Sequence, residues 1–351
     1  MERHLTLIVP GLFGVPPPED TAPAPRAPAL EKLLARANPV AAGVQGVGQH
    51  GLSAQTGEAL LCALFGIHAT DVDDLPVAAI TLLADSGVSD GDWWIRADPV
   101  HLSPRGAGLI LSGSELLDLS REESLRLIAE LGQIFTPDCW RLEALQPHRW
   151  YLRPAKPAHI HTHSVDEVWG RDIGGYLPGG SDARSWHMLL TEVQLLLHAS
   201  LLNVEREQRG RPPVNSLWFW GGGVLPRVGQ GTWTAVWSDG PLARGLGHLA
   251  GAALHALPPE AEDWLQAADV AGAHLLAFEP GPMIGQRGDG TAWRQSVECF
   301  EQRWLSPLLG ALRAGDIASL ALYSERGAGR RLVRAGLWRW WRRRRPLSCY
   351  G

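Results

Sequence analysis

An apolar run that ends in three consecutive glycines constrains this 351-residue chain more than any other segment. Residues 215–226 read NSLWFWGGGVLP, so aromatic residues lead directly into Gly221, Gly222 and Gly223. The run predicts a buried strand, and the glycines predict a loop that a ligand or another backbone segment can approach closely. Because ligands of open α/β sheets bind where strands end, we expect a ligand site at this loop. A plain glycine turn is the alternative.

The composition is that of a globular protein, with 45% hydrophobic and 20% charged residues. No apolar run approaches the roughly 20 residues of a membrane span, and the first residues lack the pattern of a signal peptide. We therefore expect a cytoplasmic protein without an integral membrane segment. The formal net charge of −5 disfavours nucleic acid as a general partner. The scarcity of lysine among the basic residues fits a bacterial source with a GC-rich genome.

Alternation of strand and helix patterns predicts an α/β fold, in which helices flank a sheet. The stretch 68–155 has more strand and hairpin character than the rest and is expected to be an inserted subdomain. The predicted organisation is a core of 1–67 and 156–333, an insert of 68–155 and a basic tail of 334–351.

Six segments appear in one order that is typical of a known family. They read LTLIVPGLFG, APALEKLLARAN, TGEALLCALFGI, WWIRADPVHL, LDLSREESLRLIAEL and NVEREQRGRPPVNSLWFWGGGVLP. Over residues 4 to about 325, the chain resembles the archaeal-type cofactor-independent phosphoglycerate mutases of the alkaline-phosphatase-like superfamily. It resembles the bacterial RpfE-type regulatory proteins more closely. The resemblance implies an alkaline-phosphatase-like sheet flanked by helices, with an inserted smaller α/β subdomain.

The resemblance also implies phosphoryl transfer through a phosphorylated serine held by two divalent metal ions. The family places a metal-binding Asp after the first strand, where this chain has Pro10. It places the nucleophilic Ser at the position of Gly57. Its later ligands should follow the strands at 273–279 and 317–323, where Glu279 and Glu325 are the remaining candidates.

These departures predict that the fold is kept and the two-metal chemistry is lost, so that no cofactor is expected. The chain would then be a pseudoenzyme with a regulatory, ligand-binding or partner-binding role. The alternative is an active metal-dependent phosphoglycerate mutase or phosphatase that uses Mn or Zn and displaced catalytic residues. The candidates for displaced residues are His50, Ser53, Thr56 and Glu58.

A second set of candidates could bind a ligand directly. Arg96 and Asp98 lie in a segment that matches a family segment with Arg and Asn near the substrate. An arginine there could bind a phosphate or carboxylate in a bidentate manner, whereas the alternative is an internal Arg96–Asp98 salt bridge. With Asn215 and the three glycines, these residues form the candidate ligand site, and a phosphorylated small molecule is the candidate ligand.

Three alternating histidines, His159, His161 and His163, form the most metal-like feature of the sequence. On a strand their imidazoles would share one face, and neighbours could chelate an ion together with Asp166 or Glu167. A solvated loop after Pro154 and Pro157 is the favoured alternative, so no metal is expected here.

The stretch 334–345 interleaves arginine with Trp338, Trp340 and Trp341. Such a pattern fits a protein partner or another anionic surface, including nucleic acid and membrane headgroups. The alternative is a solvated tail, or a helix that packs its tryptophans back onto the domain. The sequence leaves the ligand, the regulated process and the oligomeric state open.

Overall fold

The structure is a computed structural model that describes most of the chain. The described residues are 2–12, 24–40, 56–69, 74–88, 90–106, 108–112, 116–135, 140–279, 290–324, 329–345 and 347. The strands are β1 (Arg3–Ile8), β2 (Asn38–Val40), β3 (Trp94–Arg105), β4 (Gly108–Ser112), β5 (Arg141–Gln146), β6 (Arg149–Arg153), β7 (Ser216–Gly223), β8 (Ala235–Trp237), β9 (Ala253–His255), β10 (Gly272–Ala277), β11 (Ser319–Tyr323) and β12 (Gly329–Val333). The α-helices are α1 (Pro28–Arg36), α2 (Gly57–Leu64), α3 (Val77–Ser86), α4 (Arg121–Phe135), α5 (Val165–Val168), α6 (Ala183–His198), α7 (Leu201–Gln208), α8 (Pro241–Leu249), α9 (Ala261–Ala267), α10 (Gly290–Phe300) and α11 (Ser306–Ala314).

The chain divides into two compact units. The first unit comprises Met1–His68 and Val228–Gly351, and the second comprises Ala69–Arg227. The second unit therefore extends well beyond the insert of 68–155 expected from the sequence. The reason is that β7 pairs with β3 in the sheet of the second unit and not with the main parallel sheet, so the chain up to Arg227 stays with the second unit.

The first unit contains a seven-stranded sheet with the order β2-β12-β11-β1-β10-β8-β9. The central strand β1 is paired in parallel with β10 on one side and β11 on the other. β8 and β9 continue the parallel arrangement, whereas β12 is antiparallel to both of its neighbours. The sequence LTLIV in and after β1 is nearly continuous in apolar residues, as expected for a strand that is covered on both faces.

Helices pack on this sheet, and a large apolar cluster joins them to it. Leu5 and Leu7 of β1 lie in a cluster with Leu30 and Leu33 of α1 and with Trp304, each at most 1% exposed. Burial of each such side chain contributes roughly 1.5–3 kcal/mol. The α/β class predicted from the sequence, with a sheet flanked by helices, is confirmed.

A continuous helical stretch near the C-terminal end of the first unit consists of α10, a π-helical turn and α11. Glu301 begins the π-helical turn, and its buried carboxylate accepts hydrogen bonds from the N–H groups of Ala29 (2.6 Å) and Leu30 (2.9 Å). These donors belong to the first turn of α1, whose N-cap residue Ala27 has no side-chain acceptor. A carboxylate from the C-terminal part of the chain thus caps α1.

The second unit contains an antiparallel sheet of five strands. Four of its strands lie in the order β4-β3-β6-β5, and the fifth strand, β7, also pairs with β3. Leu127 of α4 and Val193 of α6 pack in one buried cluster with Ile95 of β3. Ala78 of α3 packs in another cluster with Tyr151 of β6. β7 is therefore a strand of an antiparallel sheet, and the carboxyl-end rule that predicted a ligand at Gly221–Gly223 does not apply to it.

Candidate functional site

The carboxyl end of the parallel sheet holds the positions to which the family resemblance assigns chemistry. β1 leads into Pro10, and α2 begins with Gly57 against it. A Cβ built on Gly57 would lie 3.5 Å from Cγ of Pro10, so the two positions are in contact. The positions expected for a metal-binding Asp and a nucleophilic Ser therefore meet in space, although the chain has neither residue type there.

Thr56 is the hydroxyl closest along the chain to this contact. It is the N-cap of α2, and its Oγ1 accepts a hydrogen bond of 3.2 Å from the N–H of Ala59. Thr56 and Glu58 are both partly exposed. His50 and Ser53, the other candidates for displaced catalytic residues, lie outside the described residues.

A carboxylate also lies at this end of the sheet. Glu279 follows β10, and its Oε1 lies so close to the Cα of Gly240 that any Cβ at that position would overlap with it. Gly240 is the N-cap of α8, and its N–H donates to Oγ of Ser238 at 3.1 Å. Glu279 thus places negative charge near the positive end of the α8 dipole. Glu325 lies outside the described residues.

These residues do not fit the two-metal centre that the resemblance implies. Each ion of such a centre needs several carboxylate or imidazole ligands, and Pro10 offers no side-chain donor. Within the described ranges, no group of three or more His, Cys, Asp or Glu side chains is placed to hold a metal ion.

Arg96 and Asp98 form a buried ion pair inside the second unit, each less than 7% exposed. The guanidinium donates from Nε to Oδ1 (3.0 Å) and from Nη2 to Oδ2 (2.8 Å) of Asp98. Nε1 of Trp220 donates to the same carboxylate at 2.7 Å, and Arg96 also lies over the rings of Trp220 and Tyr151. The sequence left a ligand contact and an internal salt bridge open. The internal salt bridge is present, and the ligand contact stays a prediction.

The three glycines lie within β7 and allow close packing inside the second unit. A Cβ on Gly222 would overlap with the ring of Trp93, and one on Gly223 would lie 2.6 Å from Cβ of Pro76. Gly221 has a φ of +66°, which disfavours other residues. The close approach expected from the sequence is thus made by protein groups, and a ligand role for the glycines stays a prediction.

Asn215 joins two strands through its side-chain amide. Its Oδ1 accepts from the N–H of Leu102 (2.7 Å), and its Nδ2 donates to the carbonyl of the same residue (2.8 Å). The amide therefore replaces a backbone pairing partner at the start of β7. Its predicted ligand contact is not tested by this arrangement.

The histidine segment is irregular, apart from a single bridge between His161 and Gly179. Nδ1 of His163 lies 3.0 Å from Oε2 of Glu167, and this hydrogen bond raises the pKa of His163. Nδ1 of His161 lies 3.9 Å from a carboxylate oxygen of Asp74. His159 takes part through its backbone N–H, which donates to the side chain of residue 182. In this described stretch the imidazoles do not converge on one point.

Asp74 and Thr162 were missed by the sequence analysis. Asp74 accepts hydrogen bonds from the N–H of Thr162 (3.0 Å) and from its hydroxyl, while the same hydroxyl accepts from the N–H of Gly221 at 3.0 Å. Burial raises the pKa of Asp74, although the bonds from Thr162 oppose this. The two residues are 88 positions apart, so no local pattern could have paired them.

Comparison with known proteins gives similarity over part of the chain. No protein-family model matches it. A probable 2,3-bisphosphoglycerate-independent phosphoglycerate mutase of Geobacter sulfurreducens is 26% identical in an alignment 268 residues long that covers 68% of this chain and 63% of that protein. The corresponding mutase of Methanosarcina acetivorans is 26% identical over 43% of this chain and 42% of its own length. The chain thus spans less than two thirds of these curated relatives.

Among solved structures, the PH0037 protein from Pyrococcus horikoshii matches with a TM-score of 0.56 at 12% identity, covering 93% of this chain and 83% of that one. At this identity the match concerns the fold alone. No helix among the described residues is long and apolar enough to cross a membrane. The chain is therefore similar in sequence to 2,3-bisphosphoglycerate-independent phosphoglycerate mutases, and similar in fold to the PH0037 protein.

Proposed function

We propose that this chain is a phosphoglycerate-mutase-like protein that has lost the two-metal phosphoryl-transfer site and acts by binding a ligand or partner. The contact between Pro10 and Gly57 carries the proposal. Phosphoryl transfer through a serine needs a hydroxyl next to a metal-bound carboxylate. Proline and glycine supply neither group at these two adjacent positions.

The proposed ligand is a phosphorylated small molecule related to the phosphoglycerates on which the curated relatives act. In the second unit, Arg96 is already neutralised by Asp98, so it does not offer a free charge to a phosphate. We therefore place the ligand at the carboxyl end of the parallel sheet, around Thr56 and Gly57. The regulatory role follows the resemblance to RpfE-type proteins and rests on that resemblance alone.

Two measurements test the proposal. Untagged protein is incubated with manganese and zinc, dialysed extensively and analysed for metal, and conversion of 3-phosphoglycerate to 2-phosphoglycerate is then assayed. We expect no stoichiometric metal and no conversion above the buffer rate. The Methanosarcina acetivorans mutase, treated identically, is the positive control. Two retained ions per chain, or conversion that depends on added manganese, would overturn the proposed loss.

Binding is measured separately by calorimetry with 3-phosphoglycerate and with glycerate, which lacks the phosphate. The proposal expects binding of the phosphorylated compound only, weakened by Gly57→Leu. If the parent and Gly57→Leu bound both compounds equally weakly, the phosphorylated ligand would be excluded. A protein partner would then remain as the proposed binding target.

One observation favours an active phosphomutase or phosphatase as the second candidate: the Thr56 hydroxyl precedes the position of the expected serine and is partly exposed. In that case it would be the displaced nucleophile of a Mn- or Zn-dependent enzyme. Thr56→Asn removes the hydroxyl but keeps a good N-cap acceptor, and Thr56→Ser keeps both. Activity that Thr56→Ser retains and Thr56→Asn loses would support this candidate.

A further inference from the structure

Residues 338–345, here named the tryptophan–arginine segment, consist entirely of three tryptophans and five arginines. Trp338, Trp340 and Trp341 are 75%, 79% and 64% exposed. Clusters of exposed large apolar side chains are uncommon on proteins and mark surfaces that bind something. The segment is thus a candidate docking surface that none of the proposed mutase-like features uses.

The fold holds this segment at both ends. Leu337 before it and Leu347 after it are both buried in the core of the first unit. Within it, Nη1 of Arg339 donates to the carbonyl of Arg36 at 3.0 Å, and Nη1 of Arg342 donates to the carbonyl of Ala37 at 3.0 Å. These bonds satisfy carbonyls at the C-terminal end of α1. The structure therefore fixes the backbone of the segment while its indoles face outward.

Positive charge is concentrated around the indoles. Arg343, Arg344 and Arg345 are exposed, and none of them has a carboxylate within ion-pair distance in the described part of the chain. Burial lowers the pKa of Lys32 in α1, and the positive charges of Arg313 and Arg344 lower it further. The surface therefore has a local positive charge on a chain whose formal net charge is −5.

We propose that the tryptophan–arginine segment docks on an anionic lipid surface. Indole rings partition into the headgroup region of a bilayer, and arginines pair there with lipid phosphates. Trp340 and Trp341 meet edge to face, with an interplanar angle of 82°, so they do not offer parallel faces on which successive bases could stack. A lipid surface fits this geometry better than a nucleic acid. The inference is independent of the proposed function.

The test is co-sedimentation of the full chain with large unilamellar vesicles of phosphatidylcholine, alone or with 30 mol% phosphatidylglycerol. We expect binding only to the anionic vesicles, weakened in 0.5 M NaCl. Arg343→Gln/Arg344→Gln/Arg345→Gln should lower the partition coefficient by roughly fivefold for each arginine removed. Trp338→Ala/Trp340→Ala/Trp341→Ala should also lose binding, and because these indoles are exposed its melting temperature should stay close to that of the parent.

A matched control removes the same charge elsewhere. Arg105, Arg121 and Arg184 are exposed on the second unit, and their triple Gln variant should bind the anionic vesicles as the parent does. Equal loss in this control would mean that net charge, not the segment, governs binding. Absence of binding to anionic vesicles would overturn the proposal, and tight binding of a single-stranded oligonucleotide in its place would identify a nucleic acid as the partner.

Discussion

The carboxyl end of the first unit's sheet and the interior of the second unit differ in how they treat polar groups. At the first location, Pro10 and Gly57 occupy adjacent positions where the family resemblance places a polar pair. At the second, Arg96 and Asp98 are both present but bind each other. The first region therefore has no polar side chain at these two positions, whereas the second region has charged side chains that neutralise each other. Only in the second region should stability depend on keeping both partners.

The largest effect that this comparison predicts is at Asp98. Asp98→Leu leaves the buried guanidinium of Arg96 and the N–H of Trp220 without an acceptor, which should cost about 3–5 kcal/mol of unfolding free energy. Urea denaturation measures the loss. The double variant Arg96→Met/Asp98→Leu should recover much of it.

Glu205→Gln supplies the control, since Glu205 pairs with Arg126 at the surface, and it should change the unfolding free energy by less than about 1 kcal/mol. If Asp98→Leu proved as mild as this control, the ion pair would be open to water, and Arg96 would again be a candidate for ligand binding.

A smaller effect is expected at the glycines of β7. Gly222→Ala would push a methyl group into the ring of Trp93, and overpacking of this kind costs about 1–3 kcal/mol. Gly175→Ala, at a position with no neighbouring atom within 4 Å, should stay within about 0.5 kcal/mol. Thermal denaturation compares the two. A Gly222→Ala variant of unchanged stability that binds a phosphorylated ligand more weakly would restore the ligand role of the glycine run.

Asn215 should contribute less than the glycines. Asn215→Ala removes both hydrogen bonds to Leu102, and we expect a loss of about 1–2 kcal/mol. Asn215→Asp keeps the acceptor but replaces the donor with a carboxylate oxygen facing the carbonyl of Leu102, so it should also be less stable than the parent. If Asn215→Asp were as stable as the parent, the bond from Nδ2 would contribute nothing.

The smallest effect concerns pH. Because Glu167 raises the pKa of His163 above its ordinary 6.5, the stabilisation from this pair is complete below pH 6.5 and is lost as the pH rises through the folded-state pKa. Glu167→Gln should move the NMR-measured pKa of His163 back towards the ordinary value and flatten this pH dependence. An unchanged pKa in Glu167→Gln would show that another group sets it.

Much of the fold could be predicted because local patterns carry it. The apolar segment LTLIV near the start of the chain, for example, corresponds to β1 in the structure. The position of β7 was not predictable in this way. An apolar strand pattern indicates that both faces of the strand are buried, but it does not indicate which other strand pairs with that strand. The boundary of the second unit depended on that pairing.

The candidate site shows the same limit. Arg96 and Asp98 are two residues apart, so alternation on a strand placed their side chains together in advance. The contact of Trp220 with Asp98 joins residues 122 positions apart, and that of Thr162 with Asp74 joins residues 88 positions apart. The glycine run correctly indicated a close approach. Its partners, Trp93 and Pro76, were set by tertiary packing alone.

The central place of β1 has a consequence for how the chain folds. β1 is made early but pairs only with β10 and β11, and α1 is capped by Glu301, all from the far end of the chain. The second unit is continuous in sequence and can fold during synthesis, before the rest of the chain has been made. The first sheet must wait until β11 has emerged. Its long-range pairing implies slow closure, during which an apolar β1 depends on the chain's own later segments, or on chaperones, for protection from aggregation.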